Sequence, residues 1–268
     1  MDGRRPGRRR QRALTLAGAL LLHAGAALAQ PPPEPRVILG TTIGVQVVQD
    51  AFSQHIPLRL HGEQGEFAAI YNVTAGLALD AGAAVRVWGP LGLGVELANF
   101  RKTTSTSIEA RVPHPVFLGF GRHLTASIDD VSRREQALHM QVQYWRDLWG
   151  TLFVRVFGGP TMFRLHHDLV SGIDATDGPT VDHVRLSGHR LITQSRADFG
   201  YNVGFDVSYF GLHRLGFLGS HAILDRMAFA FVARYSQGTS GIQVSGGTVQ
   251  PEYELGGVHL GGGLRVAF

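Results

Sequence analysis

The sequence predicts an all-β chain that closes into a transmembrane, antiparallel, up-and-down β-barrel of eight strands, with ten as the alternative count. Two patterns predict it. Large apolar residues alternate with small or polar ones over eight segments, and period two places alternate residues on opposite faces of a strand. The connections between those segments alternate between short and long, which is the plan of membrane barrels with tight turns at one end and long loops at the other.

The chain opens with a leader. Arg4, Arg5, Arg8, Arg9, Arg10 and Arg12 form a basic start, Ala13–Ala29 an uncharged run, and Ala27-Leu28-Ala29 a small-x-small exit. Residues 1–29 therefore read as a cleaved secretory signal peptide. The apolar run is shorter than the roughly 20 residues of a spanning helix. Residues 30–35 follow as a proline-rich, extended spacer, and 36–268 as the barrel. Cleavage removes six arginines and one aspartate, which turns the whole-chain charge of +4 into about −1. The nucleic-acid partner that a basic chain suggests is thereby excluded. The absence of cysteine excludes a disulfide scaffold, a thiolate metal site and a thiol nucleophile.

The clearest strand is Ala197–Tyr209. Its odd positions include Phe199, Tyr201, Val203, Phe205 and Val207, and its even positions Asp198, Asn202, Asp206 and Ser208. The same alternation runs through Leu39–Val47, Leu77–Val87, Leu91–Leu97, Leu138–Tyr144, Met227–Tyr235 and Val258–Phe268. The segment Leu152–Leu169 is less regular. Gly158-Gly159-Pro160 interrupts it, and a proline cannot donate to a ladder, so a bulge is expected there. The resulting change of phase would turn Phe163 and Leu165 outward, and Arg164 and His166 inward. Long loops are expected at about 50–74, 101–135, 164–196 and 236–253, and a third turn of unusual length at about 211–225. Trp88, Trp145 and Trp149 lie at or beside the short turns, as an interfacial aromatic girdle requires.

Charged strand residues share a face with Gly and Ala, whereas the opposite face is large and apolar. A soluble sandwich would turn that apolar face into a core; a membrane barrel turns it to lipid. The inward set is then Asp80, Arg86, Glu96, His139, Arg155, Asp198, Asp206, Arg234, His259 and Arg265. Eight strands leave an interior that side chains fill, and near-balanced charge predicts an ion-paired plug. The alternative is a proton or small-ion path through Asp206, His139 and Arg234.

The chain stops at Phe268, with Val266, Leu264 and Leu260 on the same face. With the leader and the strand rhythm, this resembles the small eight-stranded bacterial outer-membrane β-barrel proteins of the OmpA, OmpX and OmpW types, and the resemblance covers nearly the whole chain. It implies residence in the outer membrane among lipid and lipopolysaccharide. It also implies a C-terminal assembly signal in Leu264, Val266 and Phe268, read by periplasmic chaperones and the barrel-assembly machinery.

The groups with catalytic character are few. His166-His167-Asp168 stands where the fifth strand leaves the membrane and could supply a base–acid pair or a two-histidine metal site. Neighbouring strand residues face opposite ways, however, which favours a solvated rim. His114, His123, His183 and His189 fall in expected loops. Asp129-Asp130 reads as a solvated loop pair, with cation bridging to lipid phosphates as the alternative. Gly256-Gly257 and Gly261-Gly262-Gly263 precede no helix, so they are no dinucleotide fingerprint and read as lumen space. The sequence points to no cofactor and no metal. It favours a non-enzymatic outer-membrane protein acting through its outer loops. Passive passage of small apolar solutes stands second, and a surface hydrolase at the His166–Asp168 rim third. It leaves the oligomeric state open.

Overall fold

The computed structural model describes residues 35–211, 224–241 and 252–268. The expected signal peptide and the spacer up to residue 34 lie outside the described residues, as does most of the long third turn. Eight strands follow one another: β1 (Val37–Leu60), β2 (Glu63–Trp88), β3 (Leu91–Pro113), β4 (Gly121–Asp147), β5 (Leu152–Asp177), β6 (Val184–Tyr209), β7 (Met227–Gly241) and β8 (Glu252–Ala267). Each is antiparallel to the next, and β1 pairs with β8, so the ring is closed at eight. Closure is complete between Ile38–Val47 and Val258–Ala267.

Two tiers stack along the strands. In the membrane tier the outward residues are large and apolar. Leu97, Leu138, Met162 and Phe199 form one continuous cross-strand row. Below it Leu93, Met140, Val142, Val203, Phe205 and Phe231 are all exposed. An outward apolar band around a closed ring is a lipid-facing surface. Trp88 and Trp149 project outward at the tight turns, as a girdle requires. Trp145 does not: it is buried inside the barrel, 2% exposed. Its parity explains this correction, because it is in phase with inward His139, Gln141 and Gln143.

Most of the expected long loops are strand. β1 to β6 run 23 to 27 residues, whereas about 9–11 tilted residues cross a bilayer. The excess forms an outer tier. β1 and β2 meet in a two-residue turn, His61-Gly62, with both φ angles positive (54° and 84°), as a tight hairpin demands. Asp129-Asp130 is no loop pair either. It sits in β4 at a bulge, where Asp130 has φ 62° and the register with β3 shifts between Thr104 and Thr106.

The interior of the outer tier is apolar. Phe67, Tyr71, Ile108, Val112, Leu124, Ile128, Phe163, Leu165, Leu169 and Tyr253 pack into one buried cluster. The outer faces of these strands carry Arg59, Glu109, Arg111 and His123. The barrel is thus polar through the middle of its membrane-tier lumen, with an apolar cluster of Ile38, Trp145 and Phe153 at the turn end, and mainly apolar inside above it.

This inversion corrects the reading of β5. Its register with β6 is continuous from Leu152 to Val170 across Gly158-Gly159-Pro160. Arg155, Phe157, Thr161, Phe163, Leu165 and His167 all face inward, and Arg164 and His166 face outward. The backbone keeps its phase, and the medium outside changes from lipid to water.

Glycines seat β8 against β1. A Cβ on Gly263 would clash with the Thr41 carbonyl oxygen, whereas one on Gly262 would face lipid with only a distant backbone oxygen at 3.9 Å. Gly263→Val is expected to prevent ring closure and Gly262→Val to permit it. Unheated gel electrophoresis, in which closed barrels migrate as compact species, checks this; compact Gly263→Val would refute it.

Candidate functional site

Two ion clusters fill the membrane-tier lumen. In the first, the Arg234 guanidinium on β7 bridges two carboxylates, bonding Glu96 of β3 and lying 3.0 Å from Asp80 Oδ2 of β2. His259 Nδ1 of β8 is 3.0 Å from the same Asp80 oxygen. His139 of β4 stands beside this cluster with Nδ1 2.8 Å from Thr161 Oγ1. In the second, Asp206 of β6 receives Arg155 of β5 at 2.5 Å and Arg265 of β8 at 2.8 Å. Arg265 also donates to Thr42 Oγ1 at 3.0 Å and the Thr41 carbonyl at 2.8 Å, which ties β8 to β1. The Arg234 pairs join β7 to β2 and β3 across the lumen, whereas Arg155 and Asp206 are direct neighbours on β5 and β6, with Arg265 reaching them from β8.

The remaining inward residues differ. Arg86 lies over the Trp145 ring, 5.2 Å from its centroid, and Trp145 donates to Gln143 Oε1 at 2.9 Å. Asp198 faces inward by parity with no hydrogen-bond partner for Oδ2 among the described residues. Between the clusters a cavity of about 20 Å³ remains, room for about one water. A closed ring with a polar, filled lumen and an outward apolar belt has one consistent surrounding.

The described residues form a small transmembrane β-barrel, closed at eight strands with an apolar belt outside.

No family model matches the chain, and no curated protein matches it by sequence. Among solved structures it is similar to Neisserial surface protein A, with 12% identity over 87% of this chain and 96% of that one and a TM-score of 0.39. It is similar to the outer membrane protein OprG from Pseudomonas aeruginosa, with 10% identity over 87% and 97% and a TM-score of 0.44. A third is the outer membrane protease OmpT from Escherichia coli, with 7% identity over 90% and 99% and a TM-score of 0.42. The ring and its belt decide the membrane placement.

Above the plug lies a third cluster that the sequence pattern did not reveal. The fully buried Arg133 of β4 bonds Asp50 of β1, Glu135 at 2.6 Å and the Glu254 carbonyl of β8 at 2.6 Å. Glu135 in turn accepts the Gly256 N–H at 3.1 Å. All five residues fell in or beside expected loops. The i, i+2 pair Arg133 and Glu135 on one face was the available signal. The clamp sits where β1 leaves β8, just above the last pair Val47–Val258. Gly256 and Gly257 have φ of 91° and 114° there. A crevice of about 270 Å³ opens in the wall at this point, lined by both inward Val48, Ser236 and Leu255 and outward Val47, Tyr235 and Val258.

The histidine rim does not converge. His167 points into the barrel, where its ring packs edge-on against Phe52, Tyr71 and Tyr253. His166 and Asp168 point out, and Asp168 accepts the Thr193 hydroxyl at 2.5 Å. His114 accepts the Val116 and Phe117 N–H groups at 3.1 Å and contacts Asp182, so it orders a turn. Among the described residues no group of His and carboxylates forms a metal cluster.

Burial pushes the His167 imidazole, which lies above the membrane tier, down to about 3, with Arg133 adding repulsion. It is neutral when folded and protonates near 6.5 when unfolded. Stability is therefore full above about pH 6.5 and declines as pH falls from there toward 3. His167→Phe, which keeps the ring contacts, is expected to remove that part of the acid loss, read as denaturation midpoints across pH 3–8. In the lumen, Asp206→Ala strands two arginines and is expected to cost about 3–5 kcal/mol, whereas Asp198→Asn, which removes a charge with no partner on its buried Oδ2 among the described residues, is expected not to destabilise. Chemical denaturation of the refolded barrel compares the two.

Proposed function

We propose that this barrel is a non-catalytic outer-membrane protein whose membrane tier is a plugged anchor and whose outer tier is a rigid interaction platform. The observation that carries this reading is the contrast between the tiers. The cavity between the lumen's ion clusters has room for about one water, and charge pairs cross the lumen beside it, which supports a plug over an aqueous path. The strands meanwhile continue far beyond the bilayer and enclose their own apolar core. A flexible loop serving only to connect strands needs no such core. The core fixes the top of the platform. Arg122 of β4 donates to Asp177 of β5 at 2.6 Å and to the Val181 carbonyl at 2.7 Å, joining the β3–β4 and β5–β6 hairpins. The β3–β4 turn between them presents Val116, Phe117, Leu118 and Phe120, all exposed. Exposed apolar clusters of this kind mark contact surfaces.

The crevice beside Gly257 supports a second reading, sideways passage of a small apolar solute through the wall. The two readings separate experimentally. In planar bilayers the purified barrel is expected to be electrically silent at all voltages, and stepwise conductance would overturn the plug. In whole cells, uptake of a small apolar solute that falls on Val48→Trp, which fills the crevice, would replace the platform reading with the second.

A further inference from the structure

The outward face just above the lipid belt carries an unbalanced charge pattern. The uppermost apolar row is Leu97, Leu138, Met162 and Phe199 on β3 to β6. The next outward row is Asn99, Gln136, Arg164 and Ala197, and the one above it Arg101, Arg134, His166 and Ser195, each residue the direct cross-strand partner of the next. Three arginines and a histidine thus share two adjacent rows on three neighbouring strands. Arg101, Arg134 and Arg164 are exposed. No carboxylate pairs with any of them among the described residues; Arg134 donates to Asn99 Oδ1 at 2.9 Å. The nearest outward acid on β5, Asp168, is already engaged by Thr193.

Directly opposed side chains on neighbouring strands have Cβ atoms about 5 Å apart, and like charges in that position repel. Arg101 and Arg134 are such a pair. An anion seated between them would convert the repulsion into attraction. The position selects the anion. At about 3.3 Å rise per residue the two rows stand roughly 7 and 13 Å along the tilted strands from the last apolar row, within the headgroup layer above the acyl chains. Planar guanidinium groups match phosphate oxygens in a bidentate manner, and the row below offers Leu138 and Met162 to an acyl chain.

We infer that Arg101, Arg134 and Arg164, with His166, form a binding site for the phosphate of an outer-leaflet lipid whose chains lie on the apolar rows beneath. The site rests on the membrane placement and fails separately from it. A barrel that inserts into vesicles yet ignores lipid phosphate overturns only the site.

Native mass spectrometry of the full barrel, in detergent with added bisphosphorylated lipid A or its dephosphorylated form, tests it. The wild type is expected to retain the phosphorylated lipid at least about tenfold better, the loss expected for a charge-assisted contact. The exposed triple variant R101Q/R134Q/R164Q is expected to lose that preference. Equal retention of both lipids by the wild type overturns the site without any variant. An unchanged preference in the folded triple variant overturns these residues. Displacement by millimolar inorganic phosphate overturns a lipid as the occupant.

Discussion

Hydrocarbon offers a backbone amide no hydrogen-bond partner, and the ring of this protein follows from that constraint. Every strand crossing the bilayer must find both neighbours, so the last must meet the first. The β1–β8 seam from Ile38 to Val47 supplies the closure. It is made possible by glycines on β8, because the Thr41 and Ile43 carbonyls lie where side chains at Gly263 and Gly261 would stand. Once the ring is closed at eight, its interior is too narrow for water in bulk. What fills it must be either apolar or internally paired.

The barrel uses both solutions at different heights. In the membrane the outward face already consumes the large apolar residues, and the inward face carries charges that pair with one another inside the lumen. Arg234 serves Asp80 and Glu96, and Asp206 serves Arg155 and Arg265. Each such pair is expensive to break and of modest net value when intact. Its use here is to fix which wall faces which. Above the bilayer the outside is water, so the apolar residues turn inward and polar ones cover the surface. Arg133, with Asp50 and Glu135, marks the border between the two regimes and pins β4 to the point where β1 and β8 separate.

This arrangement bears on function. A plugged lower tier and a cored upper tier leave the outward surfaces as the places where the molecule meets others. These are the apolar tip of the β3–β4 turn, the arginine rows at the belt's edge and the wall crevice at Gly257. They lie at three heights and offer three chemistries: apolar contact, phosphate recognition and access from the lipid phase.

Much of the membrane tier was legible in the sequence. Period two in Ala197–Tyr209 and its counterparts is a direct imprint of lipid outside and a filled lumen inside, and the inward parity of Asp80, Arg234, Asp206 and Arg265 follows from counting. Trp145, read by its type as part of the girdle, is inside, as its parity with His139, Gln141 and Gln143 shows. The outer tier was not legible in the same way. Alternation continues there, as in Ile108, Ala110 and Val112 between Ser107, Glu109 and Arg111, but with opposite sense, and a fixed rule of apolar-outward turns it into loop or bulge. On β5 that rule mistook a change of solvent for a slip of the backbone. Which carboxylate meets which arginine, and whether the rim histidines converge, depends on strands far apart in sequence. The sequence alone determined the period of the strands and the composition of their faces, because those are local properties of the chain. The tertiary structure alone decided the height at which lipid gives way to water and the partners across the lumen, because both depend on closure of the ring.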